Sequence, residues 1–368
     1  MYSLMKKTLT IINLTALVFG LVACEKPQPG PEGRDSIPSG GDIAMHQTLV
    51  LNEGPQGNNA SLSHIDLANG TMENNWFFNH NGRRLGDVAQ DLLVYGSKAY
   101  VTVWGSGNLE AIDTATGSAT MVSLGNRGPR YMAAEGGKLY ISCYNPASII
   151  RIDTATLQVE ATCPLGNYNP EGIAIAAGRL FAVSSWIGES QNSITYDSTL
   201  YVIDLGTFAV DTLLTVGANP QTVKAIDEGR LIVNCWGVWN MNNGNTEGEG
   251  SAIVDAATLT IAQTGQPFTR MCIANGNIYG YMQTYDASWN MTTTYLKMDA
   301  ATMTTTEVLQ GCGVNNPYCI AVHPATGDIF IGTDGNYAAN GDLHCFAPDG
   351  TRCWKHEVGM LPSKIVFY

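Results

Sequence analysis

The side chains best suited to chemistry in this 368-residue chain are aromatic, amide, acidic and guanidinium groups scattered along its length. Trp104, Arg130, Tyr144, Glu171, Trp186, Gln221, Trp236, Trp239, Trp289, Tyr318 and Asp334 form no short motif, so only the fold can make them act together. Their joint chemistry is capture. Trp and Tyr combine a large apolar face with a polar edge, and amides, acids and a guanidinium match the rim of a flat, mixed-polarity molecule. Catalytic machinery has no comparable signature: there is no Gly-x-Ser-x-Gly elbow, phosphate loop or His-Glu-x-x-His stretch. The six histidines (His46, His64, His80, His323, His344 and His356) share no column of the repeat. No Cys-x-x-Cys or Cys/His group has zinc spacing, so neither a metal centre nor a cofactor is expected.

The elements that must position these residues come from a repeat. An apolar residue, an Asp and a Thr/Ala-rich turn recur as Ile65-Asp66-Leu67-Ala68, Ile112-Asp113-Thr114-Ala115, Ile152-Asp153-Thr154-Ala155, Ile203-Asp204-Leu205-Gly206, Val254-Asp255-Ala256-Ala257 and Met298-Asp299-Ala300-Ala301. A last copy, Phe346-Ala347-Pro348-Asp349-Gly350, keeps the turn with its Asp displaced. A period in the mid-forties is that of a four-stranded propeller blade. The Asp side chain can bond nearby backbone amides, so turn stabilisation explains it better than metal binding.

Within the third blade the pattern predicts strands over residues 130–135, 138–144, 147–153 and 158–163, with hairpins at Gly136-Gly137 and at residues 154–157. Second strands carry a column of large residues, Tyr100, Tyr140, Phe181, Ile232, Tyr279 and Phe330, expected to pack blade against blade. First strands start at Pro129, Pro170, Pro220, Pro317 and Pro362, where the missing donor is tolerated. The repeat begins on a second strand (residues 47–53) and ends on a first strand (residues 361–368). The expected architecture is therefore an all-β, seven-bladed β-propeller over residues 43–368, one blade closed by the two chain ends.

On such a ring the second strands end at Glu53, Trp104, Tyr144, Ser185, Trp236, Gln283 and Asp334. First strands start at Gln90, Arg130, Glu171, Gln221, Arg270, Tyr318 and Ser363. Long insertions at residues 185–199, 236–250 and 285–292 lie on the same rim and carry Trp186, Trp236, Trp239 and Trp289. Insertions confined to one face mark a binding face. The competing structural role for these Trp residues is to cap the blades and plug the channel.

Residues 1–23 read as an export signal: Lys6 and Lys7, an apolar stretch too short to span a bilayer, and Leu21-Val22-Ala23-Cys24, which resembles a bacterial lipobox. Cleavage before Cys24 and lipidation of its thiol would follow, with residues 24–42, rich in Pro and Gly, as a tether. A net charge of −13 leaves no basic face for nucleic acid, and membrane attachment rests on the lipid alone. Of the remaining cysteines, Cys345 and Cys353 fall on neighbouring strands and are the favoured disulfide pair, while Cys143 and Cys235 read as small core filling.

The Ile-Asp-x-Ala-Thr turns and strand starts such as Asn169-Pro-Glu-Gly-Ile-Ala174 and Asn316-Pro-Tyr-Cys-Ile-Ala321 make residues from about 47 onward resemble YVTN/YncE-like seven-bladed propellers of exported bacterial proteins. With the lipobox, the chain resembles surface lipoproteins of Bacteroides-type bacteria. The resemblance implies a non-catalytic lipoprotein at the outer membrane that captures a small molecule, cobalamin first, for a TonB-dependent outer-membrane transporter. Alternatives are a glycan-binding lipoprotein, a protein-docking module, or a lactonase- or quinoprotein-like enzyme using Glu171, Arg130 and His80 near the mouth.

Overall fold

Seven antiparallel sheets of four strands each account for the fold, one sheet for each repeat. The computed structural model describes residues 45–368 except 167, 188–194, 241–244, 287 and 289. The expected signal, Cys24 and tether, and Trp289, lie outside the described residues. The innermost strands, in blade order, are Pro362–Phe367, Ala89–Tyr95, Pro129–Glu135, Tyr168–Ala176, Pro220–Ala225, Arg270–Ala274 and Pro317–Val322. Each packs on the next and the last on the first, so they line a closed central channel. The molecule is a seven-bladed β-propeller. Among the described residues no helix is long and apolar enough to cross a membrane.

The third blade follows its sequence pattern closely, with strands Pro129–Glu135, Lys138–Tyr144, Ala147–Asp153 and Val159–Pro164. Both faces of such a blade are covered by neighbours, so apolar residues occupy both sides of its middle strands. Tyr100, Tyr140, Phe181, Ile232 and Phe330 are buried as expected, and Tyr279 packs at the edge of a core cluster. Cys143 and Cys235 are buried in the same way. Pro129, Pro220, Pro317 and Pro362 open their strands, whereas Pro170 is the third residue of Tyr168–Ala176.

The chain ends close blade 1. Pro362–Phe367 pairs with Gln47–Asn52, setting Ile365 opposite Val50 and Val366 opposite Leu49. Gln47 N donates to Tyr368 O (3.1 Å) and Tyr368 N to Gln47 O (2.9 Å). This blade is apolar on both sides. Leu49, Leu51 and Leu62 join Leu92 and Val101 of blade 2, while Val50, Ile65 and Ile365 join Phe330 and Trp354 of blade 7. Gln47 lies beside the Asp66 turn, and Met45 O contacts His323 Nε2 at 3.1 Å in the first-to-second hairpin of blade 7. The chain therefore joins the ring on the hairpin face, opposite the long insertions.

The structure departs from expectation in several places. In blade 1 the fourth strand is only Thr71–Glu73, followed by a short helix, Trp76–Asn81. Asn81 ties this helix to the turn of blade 2 through Gly117 O and Ala119 N, both at 2.9 Å. The described residues at the two ends of the insertions in blades 4 to 6 are strand, not loop. They prolong the two middle strands as ribbons: Arg179–Ile187 with Thr195–Asp204, Arg230–Asn240 with Asn245–Asp255, and Asn277–Tyr285 with Met291–Asp299. Alternating Val, Trp, Thr and Tyr residues suit strand geometry, and pairings such as Trp239 with Thr246 extend the ladder beyond the rim. The described cysteines are all free thiols. Cys345 and Cys353 do lie on adjacent strands, but without a disulfide, and Cys353 Sγ donates to Thr351 O at 3.8 Å.

The repeated Asp does what its spacing implies. Asp299 Oδ1 accepts from the amides of Ala301 and Thr302 and from the Thr302 hydroxyl (2.8–3.1 Å). Asp204 and Asp255 accept from the amides of Thr207 and Thr258 in the same way. In these three turns the Thr amide, with further donors, holds the carboxyl below its usual range; in Asp113 the Thr116 hydroxyl leads, and in Asp153 Lys138. The folded state binds these protons more weakly than the unfolded chain does. The stabilisation is complete above the ordinary Asp value and is lost as pH falls through the lowered one. Melting temperature should drop below about pH 4, and Asp299→Ala should lower it at pH 7 but much less at pH 2, as read by calorimetry. A variant with the same deficit at both values would refute the assignment. Deletion of residues 364–368 removes Ile365 and every pair of its ladder but Asn52 with Pro362, so a loss of at least roughly 3 kcal/mol is expected in chemical denaturation. Unchanged stability would mean that closure contributes nothing.

Candidate functional site

Each inner strand brings its first residues to the channel mouth, on the face that carries the ribbons. In every blade but the sixth the register shifts near that end, as in a β-bulge that re-aims the side chains there. Blade 6 has no shift: Arg270 pairs directly with Tyr281 and Met271 with Gly280. A Cβ on Gly280 would stand 2.5 Å from Phe268 Cδ1 and 2.6 Å from Arg270 O, so glycine is what permits this path. Gly172 has a similar duty: its Cβ would meet Val223 N at 2.9 Å, where blades 4 and 5 converge beside Glu171.

On one side of the mouth Arg130 is held from three directions. Its Nε and Nη2 donate to Glu171 (2.9–3.2 Å), and Nη1 donates to Gln90 Oε1 at 2.5 Å. The Tyr144 hydroxyl donates to Glu171 Oε1, and the guanidinium lies 4.7 Å over the Tyr144 ring. Trp186 meets that ring edge-on at 6.3 Å, and Trp104 and Tyr144 flank Gly128. Burial pushes the Glu171 carboxyl up, against the opposing pull of Arg130 and Arg270. Its oxygens are committed to Arg130 and Tyr144. The group therefore braces the mouth and offers no free base.

The other side is open. A cavity of about 660 Å³ lies between blades 5, 6 and 7. Trp236 from the blade 5 ribbon, Tyr285 from the blade 6 ribbon and Tyr337 from a turn of blade 7 line it with Arg270, Gln283, Tyr318 and Asp334. The Arg270 guanidinium sits 5.0 Å over the Trp236 ring, and Nη1 donates to Thr269 O at 3.1 Å. Tyr318 donates to Glu53 Oε2 at 2.8 Å and meets Tyr337 edge-on at 5.9 Å. Asp334 works indirectly: its Oδ1 accepts from Asn336 N (2.8 Å) and holds the turn that presents Tyr337. Burial pushes the Glu53 carboxyl up, opposed by the Tyr318 hydroxyl and then by Arg270 and Arg130. Tyr285 and Tyr337 are 60 % and 63 % exposed and Trp236 is 39 % exposed, so these rings cover no core. That argues against a plug.

Trp236, Tyr318 and Asp334 thus come together at the cavity, while Arg130, Tyr144, Glu171 and Trp186 form the brace beside it. Gln221 turns to Asn219 Oδ1 at 2.6 Å, and Trp239 stands exposed on the ribbon without lining the cavity. Arg270 and Gln283, ring positions outside the expected contact set, line the cavity, and Glu53 supports it from behind Tyr318; Tyr285 and Tyr337 are additions. Their signal was an aromatic residue within three positions of the expected end of a second strand, as Trp186 is in blade 4. His80 is remote from the mouth. It sits on the short helix with Nδ1 2.9 Å from Trp76 O, against Gly117 in a hairpin of the opposite face. It cannot join Arg130 and Glu171. Among the described residues no group of three His, Cys, Asp or Glu could hold a metal ion.

Losing either partner of the buried Arg130–Glu171 pair strands the other charge, which typically costs about 3–5 kcal/mol. Arg130→Met and Glu171→Met should each destabilise by that order, and the double variant by clearly less than the sum. Additive losses in urea denaturation would show that the pair is not coupled.

No family model and no curated protein matches the chain. Solved structures resemble it in fold. A quinoprotein alcohol dehydrogenase-like protein of Bacteroides thetaiotaomicron superposes with TM-score 0.60 at 13% identity, covering 88% of this chain and 78% of that one. Hydrazine synthase of Kuenenia stuttgartiensis gives TM-score 0.54 at 16% identity over 69% and 74%. The Pan2 WD40 domain of Neurospora crassa gives 0.51 at 7% identity over 77% and 84%. These similarities establish the propeller architecture, which enzymes and non-enzymes share.

Proposed function

We propose that this propeller is a non-catalytic, YncE-like binding protein that captures a small molecule of mixed polarity in the cavity between blades 5, 6 and 7. The observation that carries the reading is the exposed set of Trp236, Tyr285 and Tyr337 around the Arg270 guanidinium. Exposed rings on a rigid rim have area ready for a ligand, and Arg270, Gln283 and the Tyr318 hydroxyl supply polar groups beside them. A volume of about 660 Å³ is of the size that small-molecule sites commonly have. The commitment of Glu171 and the distance of His80 speak against the acid–base arrangement of an enzyme at this mouth.

Cobalamin is the first ligand to test, because its amide-fringed corrin would meet aromatic walls and polar groups together; a glycan is the second. The setting that goes with this reading is a lipid anchor on Cys24, exposure at the outer membrane of a Bacteroides-type bacterium, and transfer to a TonB-dependent transporter. Loss of one aromatic anchor typically costs on the order of 2 kcal/mol, roughly 30-fold in affinity. Trp236→Ala and Tyr337→Ala should therefore weaken binding tens-fold by calorimetry with melting nearly unchanged. Tyr144→Ala should instead lower the melting temperature, since that residue braces Glu171. Binding that survives loss of both Trp236 and Tyr337 would move the site elsewhere. Failure of both ligand classes to bind would remove both candidates.

A further inference from the structure

Below the mouth the channel holds a second group of charges that the cavity does not use. The side chain of Lys224, on the inner strand of blade 5, makes no hydrogen bond or ion pair among the described residues. The charges that act on it are Lys364 of blade 1, Asp91 of blade 2 and, from the neighbouring blade 6, the Cys272 thiol. Blades 1 and 2 lie across the ring from blade 5. Groups so placed reach one another only through the channel, so the Lys224 ammonium faces into it.

Its surroundings supply charge but no partner. Lys364 Nζ donates to Asp91 Oδ1 at 2.6 Å, and Asp91 Oδ2 accepts from Met132 N at 2.9 Å. Both oxygens of Asp91 are thus bonded to other groups, which leaves the Lys224 ammonium without a direct partner. At the same level of the inner strands stand Ala133, Ala174, Cys272 and Ala321, with Leu93 in blade 2 and Val366 in blade 1. Lys224 is thus the one cationic side chain at its level of the ring, and Lys364 is the second cation that acts on it. The geometry points to a binding position in the channel for a compact oxyanion of the sulfate or phosphate class, held by the Lys224 ammonium with Lys364 in support.

The electrostatics agree with that assignment. Burial, then repulsion from Lys364, hold the Lys224 ammonium down at about 8, with Asp91 opposing. The Cys272 thiol is itself pushed up to about 12 by burial, so it stays neutral near pH 8. An oxyanion beside Lys224 would favour its charged form, so binding takes up a proton and weakens as pH rises above about 8.

The test uses sulfate, which does not titrate in this range, and the whole protein in a buffer free of other oxyanions. Calorimetry should give saturable one-to-one binding at about pH 7, weaker by roughly tenfold or more at about pH 9.5. Lys224→Met should abolish it. Lys224→Arg should retain it without the pH dependence, since a guanidinium stays charged throughout. Sulfate should also slow acetylation of Lys224 in the unaltered protein, read by peptide mass spectrometry, which decides the matter if the Met variant does not fold. Trp236→Ala should leave sulfate binding intact, separating this site from the cavity above. Sulfate binding unchanged in Lys224→Met, binding independent of pH in the unaltered protein, no saturable binding, or acetylation indifferent to sulfate would each overturn the assignment.

Discussion

Everything in this molecule depends on the pairing of its two ends. Without Pro362–Phe367, the strand Gln47–Asn52 would be left as an unpaired edge and its blade one strand short, and Val50 and Ile365 stand opposite each other to close it. The pairing is local in space and remote in sequence. It lets Lys364 reach Asp91 in blade 2 while Trp354 and Phe330 of blade 7 pack from the other side. The channel, its charges and the mouth above it exist because this joint fixes the circumference.

The fold was legible in the sequence because its signals are short-range. The Asp turn needs only three or four residues to form, so each copy announces the end of a third strand without help from the rest of the chain. The second strands of Tyr140 and Phe181 are equally local, being set by alternation and by the turns that bound them. The helix of Trp76–Asn81 escaped because it replaces part of one fourth strand in one blade only, where the repeat is no guide.

The site was legible only in part, for the opposite reason. Which rim residues meet depends on register at the mouth, and the absence of a shift in blade 6 moves Arg270 relative to its counterparts. The insertions read as loops because Asn, Gly, Ser and Thr dominate them, yet the ladder between blade partners such as Trp236 and Glu249 carries them outward as strands. That extension places Trp236 and Tyr285 along walls of one cavity. Arg130, Tyr144 and Glu171 have the composition of a contact site and the bonding of a brace. Composition alone cannot separate those roles; the committed oxygens of Glu171 do.

The position of Met45 and Gln47 sets which way the molecule looks. The chain joins the ring among the short hairpins, beside the Asp66 turn and His323, while the ribbons and the cavity occupy the far side of the disc. Any attachment made through the residues before Met45 would hold the propeller by its base, with the mouth turned outward like a dish on a stalk. The thickness of the disc would then separate anchor from cavity. A delivery partner in the same surface would have to lean over the rim, or the tether would have to let the dish tip toward it.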